Sequence, residues 1–253
     1  MARLDVLGTA WNGYRFAFGS LRGILRLCWP WLGVGTLLAA LGGDLGGTAG
    51  LVAAVPFAVG GSILWVAILR IALLAEVPAR DGALRVGARE IKTLGLFAAV
   101  SLVSAVPFAI RHAVPGPGGL AAAAALVTVG LYLAVRLIPA SAAIAIDQPM
   151  PSALGPAWRI TRGNALRLMA TLAIAHLPLQ LGAAAAVQAM GPPEATTGPW
   201  AAAALLATGL ALGLTFFVQV ALDAACLGLA CRALVPAAPE SAPAAAGTGS
   251  ATP

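Results

Sequence analysis

Between Trp200 and Leu234 the chain carries no charged residue except Asp223 and Arg232. A helix over that stretch shows apolar side chains on every face, so it has no polar stripe to turn toward water. The hydrocarbon core of a bilayer, about 30 Å thick, suits such a helix and is crossed by about 20 residues. Five further stretches read the same way: 24–41, 50–75, 93–114, 119–146 and 165–190. Composition agrees, since 60% of the 253 residues are hydrophobic and 9% are charged, against about 25% charged in an ordinary soluble domain. The expectation is an all-α fold, a polytopic bundle of six transmembrane helices within residues 1–236. Residues 237–253, rich in Pro, Ala, Gly and Ser, have no apolar period and are expected to form a disordered cytoplasmic tail.

Short turns rich in Gly and Pro (GGDLGG, VPGPGG, MGPPEATTGP) alternate with longer basic connections, which groups the six spans into three helical hairpins. Each hairpin is preceded by a related phrase: LGTAWNGYR at 7–15, LRVGAREIK at 84–92 and LGPAWRITR at 154–162. Similarity at a roughly fixed offset, which also brings Pro107 near Pro178 in register, marks a repeated unit. All three units point the same way, unlike the halves of an inverted-repeat transporter.

Basic residues set the orientation. Arg3, Arg15, Arg22 and Arg26 precede the first span, Arg80, Arg85, Arg89 and Lys92 lie between the second and third, and Arg159, Arg162 and Arg167 flank the fourth-to-fifth connection. Arg232 closes the sixth span, and Arg111 stands alone on the opposite side. The positive-inside rule then places both termini in the cytoplasm of a bacterium, with the protein multipass in the inner membrane. The early charges Arg3, Asp5 and Arg15 do not fit a cleaved signal peptide, so the first span is read as its own insertion signal.

The repeated phrase is amphipathic as a helix. Leu84, Ala88 and Ile91 fall on one stripe while Arg85, Arg89 and Lys92 fall on the next; in the third copy Leu154, Trp158 and Thr161 face one way and Arg159 and Arg162 the other. Trp11, Arg15, Arg85, Arg89, Lys92, Trp158, Arg159 and Arg162 are therefore expected at the lipid-headgroup interface, where Trp finds an apolar bed with a polar partner and each basic residue gains about 1 kcal/mol near an anionic leaflet. The alternative is that these helices pack under the bundle, or onto a membrane-protein partner or a second copy. The net charge of +6 is spread between spans without interleaved aromatics, so no nucleic acid is expected.

Residues 136–168 resemble the repeat junction of the bacterial glycerophosphodiester phosphodiesterase membrane-domain superfamily and related YciC-like multipass proteins. Ala153, Leu154, Trp158, Thr161, Arg162, Gly163, Asn164 and Arg167 match the pattern, whereas Ala157 stands where a Ser is usual. In the enzymes that name the superfamily the membrane part precedes a separate soluble catalytic domain, which has no counterpart in these residues. The resemblance thus implies a fold and a membrane location, and no phosphodiesterase activity.

Three charged residues fall inside spans: Arg70, Arg136 and Asp223. A charge at the bilayer centre costs about 2.5 kcal/mol or more and is usually paired or faces a wet cavity. Arg136 and Asp223 sit at similar depths and are expected to form a structural pair, the alternatives being a polar substrate or proton site and no contact at all; Arg70 is near enough to the interface to snorkel. His176 reads as a core His satisfied by a neighbouring helix, and His112 as solvated. Cys28, Cys226 and Cys231 read as packing residues, because an odd count gives no disulfide framework. No HExxH, GxSxG or GxxxxGK[ST] motif is present, so neither an enzyme, a cofactor nor a metal is expected. Gly209 and Gly213 form a GxxxG pair that permits close helix contact. The leading functional reading is non-enzymatic organisation of lipid or partner proteins; the alternative is a small permease with a polar path through Arg136 and Asp223.

Overall fold

The computed structural model describes residues 3–41, 47–75, 86–114, 116–190 and 201–234. These form α1 (Val6–Gly19), α2 (Leu21–Leu41), α3 (Gly47–Leu74), α4 (Ala88–Ala113), α5 (Pro117–Leu137), α6 (Ala140–Ala145), α7 (Met150–Ile160), α8 (Ala165–Met190) and α9 (Ala201–Leu234). Arg80 and Arg85, residues 42–46 and 191–200 of two turns, and the tail 237–253 lie outside the described residues. Five of the six apolar stretches are each one helix over nearly the expected range, α8 over the same residues, and the fourth is divided between α5 and α6.

Among the described residues, four segments are long and apolar enough to cross a membrane: Ala54–Leu74, Pro117–Ala145, Ala165–Ala185 and Leu206–Leu234. The expectation of six such helices is corrected to four. α2 opens with Arg22 and Arg26 and continues through Trp29-Pro30-Trp31, which dilutes its apolar run. α4 opens on Arg89, Glu90 and Lys92, and several side chains of its apolar part are not described.

Local chemistry explains the ends. Asp5 caps α1 by accepting from the Gly8 N–H at 3.1 Å. α5 begins with Gly116 at φ +98° followed by Pro117, whose missing N–H costs nothing in a first turn. The fourth apolar stretch is interrupted once, because Pro139 cannot donate to the helical ladder; α5 stops at Leu137, and α6 restarts with the Ala142 N–H on the Pro139 carbonyl at 3.1 Å.

The core is a three-helix contact of α2, α3 and α9, onto which α1, α8 and the α4–α5 pair are laid. Small residues allow the close approach. Gly209 faces Thr36 and Gly213 faces Leu32 and Phe57, so the GxxxG pair serves a contact within the chain. Nearer the C-terminus of α9, Gly228 lies against Ala72. Phe57, Phe216 and Phe217 close the centre with ring centroids 5.3 to 5.9 Å apart. In α3 and α9, 61% and 50% of the apolar window is buried, against 22% and 17% in α5 and α8. The outer pair therefore shows leucines such as Leu120, Leu131, Leu177 and Leu181 outward, as lipid contact requires and water disfavours.

Candidate functional site

The first and third copies of the repeated phrase are helices with one packed and one outward face. α1 buries Thr9, Ala10, Gly13 and Ala17 against α8 and α9, with the Gly13 Cα next to Cys226 and Ala17 clustered with Ala175 and Leu222. Two successive turns of α1 thus meet two turns of α9 in the antiparallel sense, and α1 runs alongside the bundle. Its outward stripe is Leu7, Trp11, Arg15 and Phe18, with Trp11 65% exposed. α7 buries Ala153 and Ala157 against Leu96, Ala140 and Ile144 and turns Leu154, Trp158 and Arg159 outward, with Arg162 exposed in the turn that follows.

The second copy differs. Val86 and Gly87 are extended, the Gly87 N–H is capped by Glu90 Oε2 at 2.9 Å, and Arg89 to Lys92 form the first turn of α4. In its described part this phrase makes no separate helix before its span, which corrects the expectation of one interfacial helix per hairpin. Lys92 remains exposed, but Arg89 is bonded through Nε and Nη2 to Asp147. Arg70 joins the same carboxylate at 3.8 Å and donates to the Ala145 carbonyl at 2.9 Å. Asp147, at φ +69° just after α6, therefore ties the end of α3 to the start of α4. The Arg89 hydrogen bond holds its carboxyl below the usual carboxylate range, with the Arg89, Arg70 and Lys92 charges adding to the effect.

Arg136 is anchored to α7. Its Nη1 donates to the Trp158 carbonyl at 2.9 Å and to Thr161 Oγ1 at 3.3 Å, while Nε and Nη2 donate to the Tyr132 hydroxyl at 3.1 and 2.8 Å. The guanidinium also lies 4.3 Å from the Trp158 ring centroid, within cation–π range. The residues that carried the family resemblance are joints of the same kind. Gly163 turns the chain at φ +77°, Asn164 Oδ1 accepts the Leu4 N–H at 3.2 Å, and Arg167 donates to the Leu4 carbonyl at 3.1 Å. The N-terminal segment is thereby pinned to the α7–α8 junction.

Asp223 has other partners. His176 Nδ1 lies 3.2 Å from its Oδ1, and Gln219 Nε2 donates to the two carboxylate oxygens at 3.3 and 3.4 Å. The expected Arg136–Asp223 pair is thus overturned: one belongs to the α5–α7 joint and the other to an α8–α9 pair with an imidazole one helix away. His176 is satisfied by a neighbouring helix as expected, but by a carboxylate. Tyr132, Asp147 and Gln219 were missed. The acidic residue closing the fourth stretch was the available signal for Asp147, whereas a Gln four residues before an Asp is unremarkable until a helix places both on one face.

Because the two sites share no partner, the losses in detergent-measured stability from Arg136→Ala and Asp223→Ala should add to within about 0.5 kcal/mol in the double variant. A recovery in the double variant would restore the direct pair.

Among the described residues no three His, Cys, Asp or Glu side chains gather as a metal site would need. Compared with protein-family models, curated proteins and solved structures, the chain matches none.

Proposed function

We propose that this chain is a non-enzymatic multipass protein of the bacterial inner membrane, with cytoplasmic termini, that organises anionic lipid or a membrane-protein partner through α1 and α7. The observation that carries this reading is the outward Leu–Trp–Arg stripe that both helices carry while burying only small residues: Leu7, Trp11 and Arg15 on α1, Leu154 and Trp158 on α7 with Arg162 in the turn that follows it. A solvated helix has no use for two exposed tryptophans beside leucines, whereas a headgroup layer accommodates both ring and charge. The apolar run of α9 supports the level. Its 29 residues extend about 44 Å at helical rise, longer than the hydrocarbon core of about 30 Å, so the turns that hold α1 can reach the headgroups. The family resemblance of residues 136–168 supports the same membrane setting.

The test is hydrogen exchange of the full chain in nanodiscs. Amides of α1 and α7 should exchange more slowly in discs containing phosphatidylglycerol than in phosphatidylcholine alone, and Arg15→Gln/Arg159→Gln/Arg162→Gln should remove most of the difference, at about 1 kcal/mol per arginine. Equal exchange in the two lipids would refute headgroup docking.

A further inference from the structure

Between α3, α4, α5, α8 and α9 lies a cavity of about 430 Å³, within the range of about 300 to 1,000 Å³ of small-molecule sites. Trp65, Phe97, Val135, Met169 and Leu172 supply apolar walls, and His176 and Asp223 supply a polar pole. The walls are fixed. The Trp65 indole N–H is spent on Ser141 Oγ at 2.9 Å, and its ring meets Phe97 edge-on at 4.9 Å. The pole lies eleven residues along α8 from Ala165 and eleven before the end of α9 at Leu234, about 16 Å from either helix end.

We propose that this cavity binds a neutral apolar molecule bearing one hydroxyl group, held at Nε2 of His176. His176 Nδ1 is 3.0 Å from the Leu172 carbonyl oxygen, which can only accept, so Nδ1 carries a hydrogen. Nε2, which makes no hydrogen bond with the described residues, is therefore an acceptor in the neutral ring and a donor in the charged one. A hydroxyl donates and accepts, and so satisfies Nε2 in either state, giving its hydrogen to the neutral ring or accepting one from the charged ring. A carbonyl serves only one of these states. When both ring nitrogens carry hydrogen the charged imidazole and the Asp223 carboxylate are together net neutral, so an ammonium or carboxylate ligand would leave an uncompensated charge in an apolar chamber.

Gln219 stiffens the carboxylate. It is 7% exposed, its amide nitrogen is committed to Asp223, and its Oε1 has no hydrogen-bond partner among the described residues.

The site is independent of headgroup docking by α1 and α7 and can be tested apart from it. Full-length protein in nanodiscs would be irradiated with a diazirine-bearing octanol, or with the matching octane that lacks the hydroxyl, and the adducts mapped by mass spectrometry. Octanol should label Met169, Leu172 and their cavity neighbours in preference to the outward Leu177 and Leu181, while octane should show no such preference. His176→Leu should lower cavity labelling about fivefold, the loss of one hydrogen bond of about 1 kcal/mol, and Ala173→Phe should abolish it by filling the chamber. Adducts spread evenly over outward leucines, or equal cavity labelling by octane, would overturn the proposal. The comparison of the two probes on the unmodified chain decides the matter even where a variant fails to fold.

Discussion

Gly228→Val is expected to be the most damaging single substitution in the bundle, with little folded protein recovered in detergent. A Cβ at position 228 would stand 2.6 Å from the Ala72 Cβ and 3.9 Å from its Cα. Ala72 has no rotamer that moves its methyl away, so relief requires shifting α3 against α9 at a contact that also holds Leu69 and Leu227 in the core. Overpacking of this kind typically costs about 1 to 3 kcal/mol and more where backbone must move. The milder Gly228→Ala should lose about 1 to 3 kcal/mol in reversible unfolding, and adding Ala72→Gly should return part of it despite the roughly 0.5 to 1 kcal/mol that glycine costs within a helix. Additive losses in that double variant would show that the contact is looser than described.

The second large effect is expected at Arg136. Arg136→Ala removes the donors that join α5 to the Trp158 carbonyl and Thr161 Oγ1 and those that hold the Tyr132 hydroxyl of α5, and with them the cation that covers the Trp158 ring. Hydrogen bonds to a charged group contribute about 1.5 to 3 kcal/mol, and the partial exposure of this guanidinium points to the lower end. α7 should then exchange its amides faster, and Trp158 should become more open to a water-soluble quencher. Arg136→Lys should recover less than half of the loss, because an ammonium cannot reach the carbonyl of α7 and the hydroxyl of α5 in the fixed fork that the guanidinium provides. Full recovery by lysine would reduce the role of Arg136 to its charge.

Much of the helical framework was legible because lipid-compatible stretches leave a signal in composition alone: the apolar stretches at 165–190 and 200–234 became α8 and α9 within a residue of their expected limits. Phrase repetition found α1 and α7 for a similar reason, since alternate Trp and Arg at helical spacing have few other uses. Partner choice was not legible. Arg136 and Asp223 were matched by depth and opposite charge, but depth along a helix says nothing of azimuth, and the azimuth of each depends on where small residues let helices close. Gly209 and Gly213 illustrate the point, because their partners Thr36, Leu32 and Phe57 lie more than a hundred residues away. The break at Pro139 was folded into one continuous stretch because Ala and Ile around it kept the hydropathy high. The cavity pole was hidden in another way: His176 and Asp223 are each single polar residues in separate apolar runs, and only packing brings them to 3.2 Å.

The clasp on Leu4 bears on how this chain comes to be assembled. Its two hydrogen bonds span 160 and 163 residues, and Gly13 and Ala17 rest on Cys226 and Leu222 of the final helix. At a synthesis rate of about 5 to 20 residues per second, α1 waits roughly ten seconds or longer for its partners. During that interval its small-residue face has no place in the bundle, and a surface already bearing Leu7, Trp11 and Arg15 is free to rest on the membrane from the other side. α1 therefore shares with α2 and α3 a dependence on α9, and it depends on α8 as well, so its packed face is completed only by the helices that follow it in synthesis.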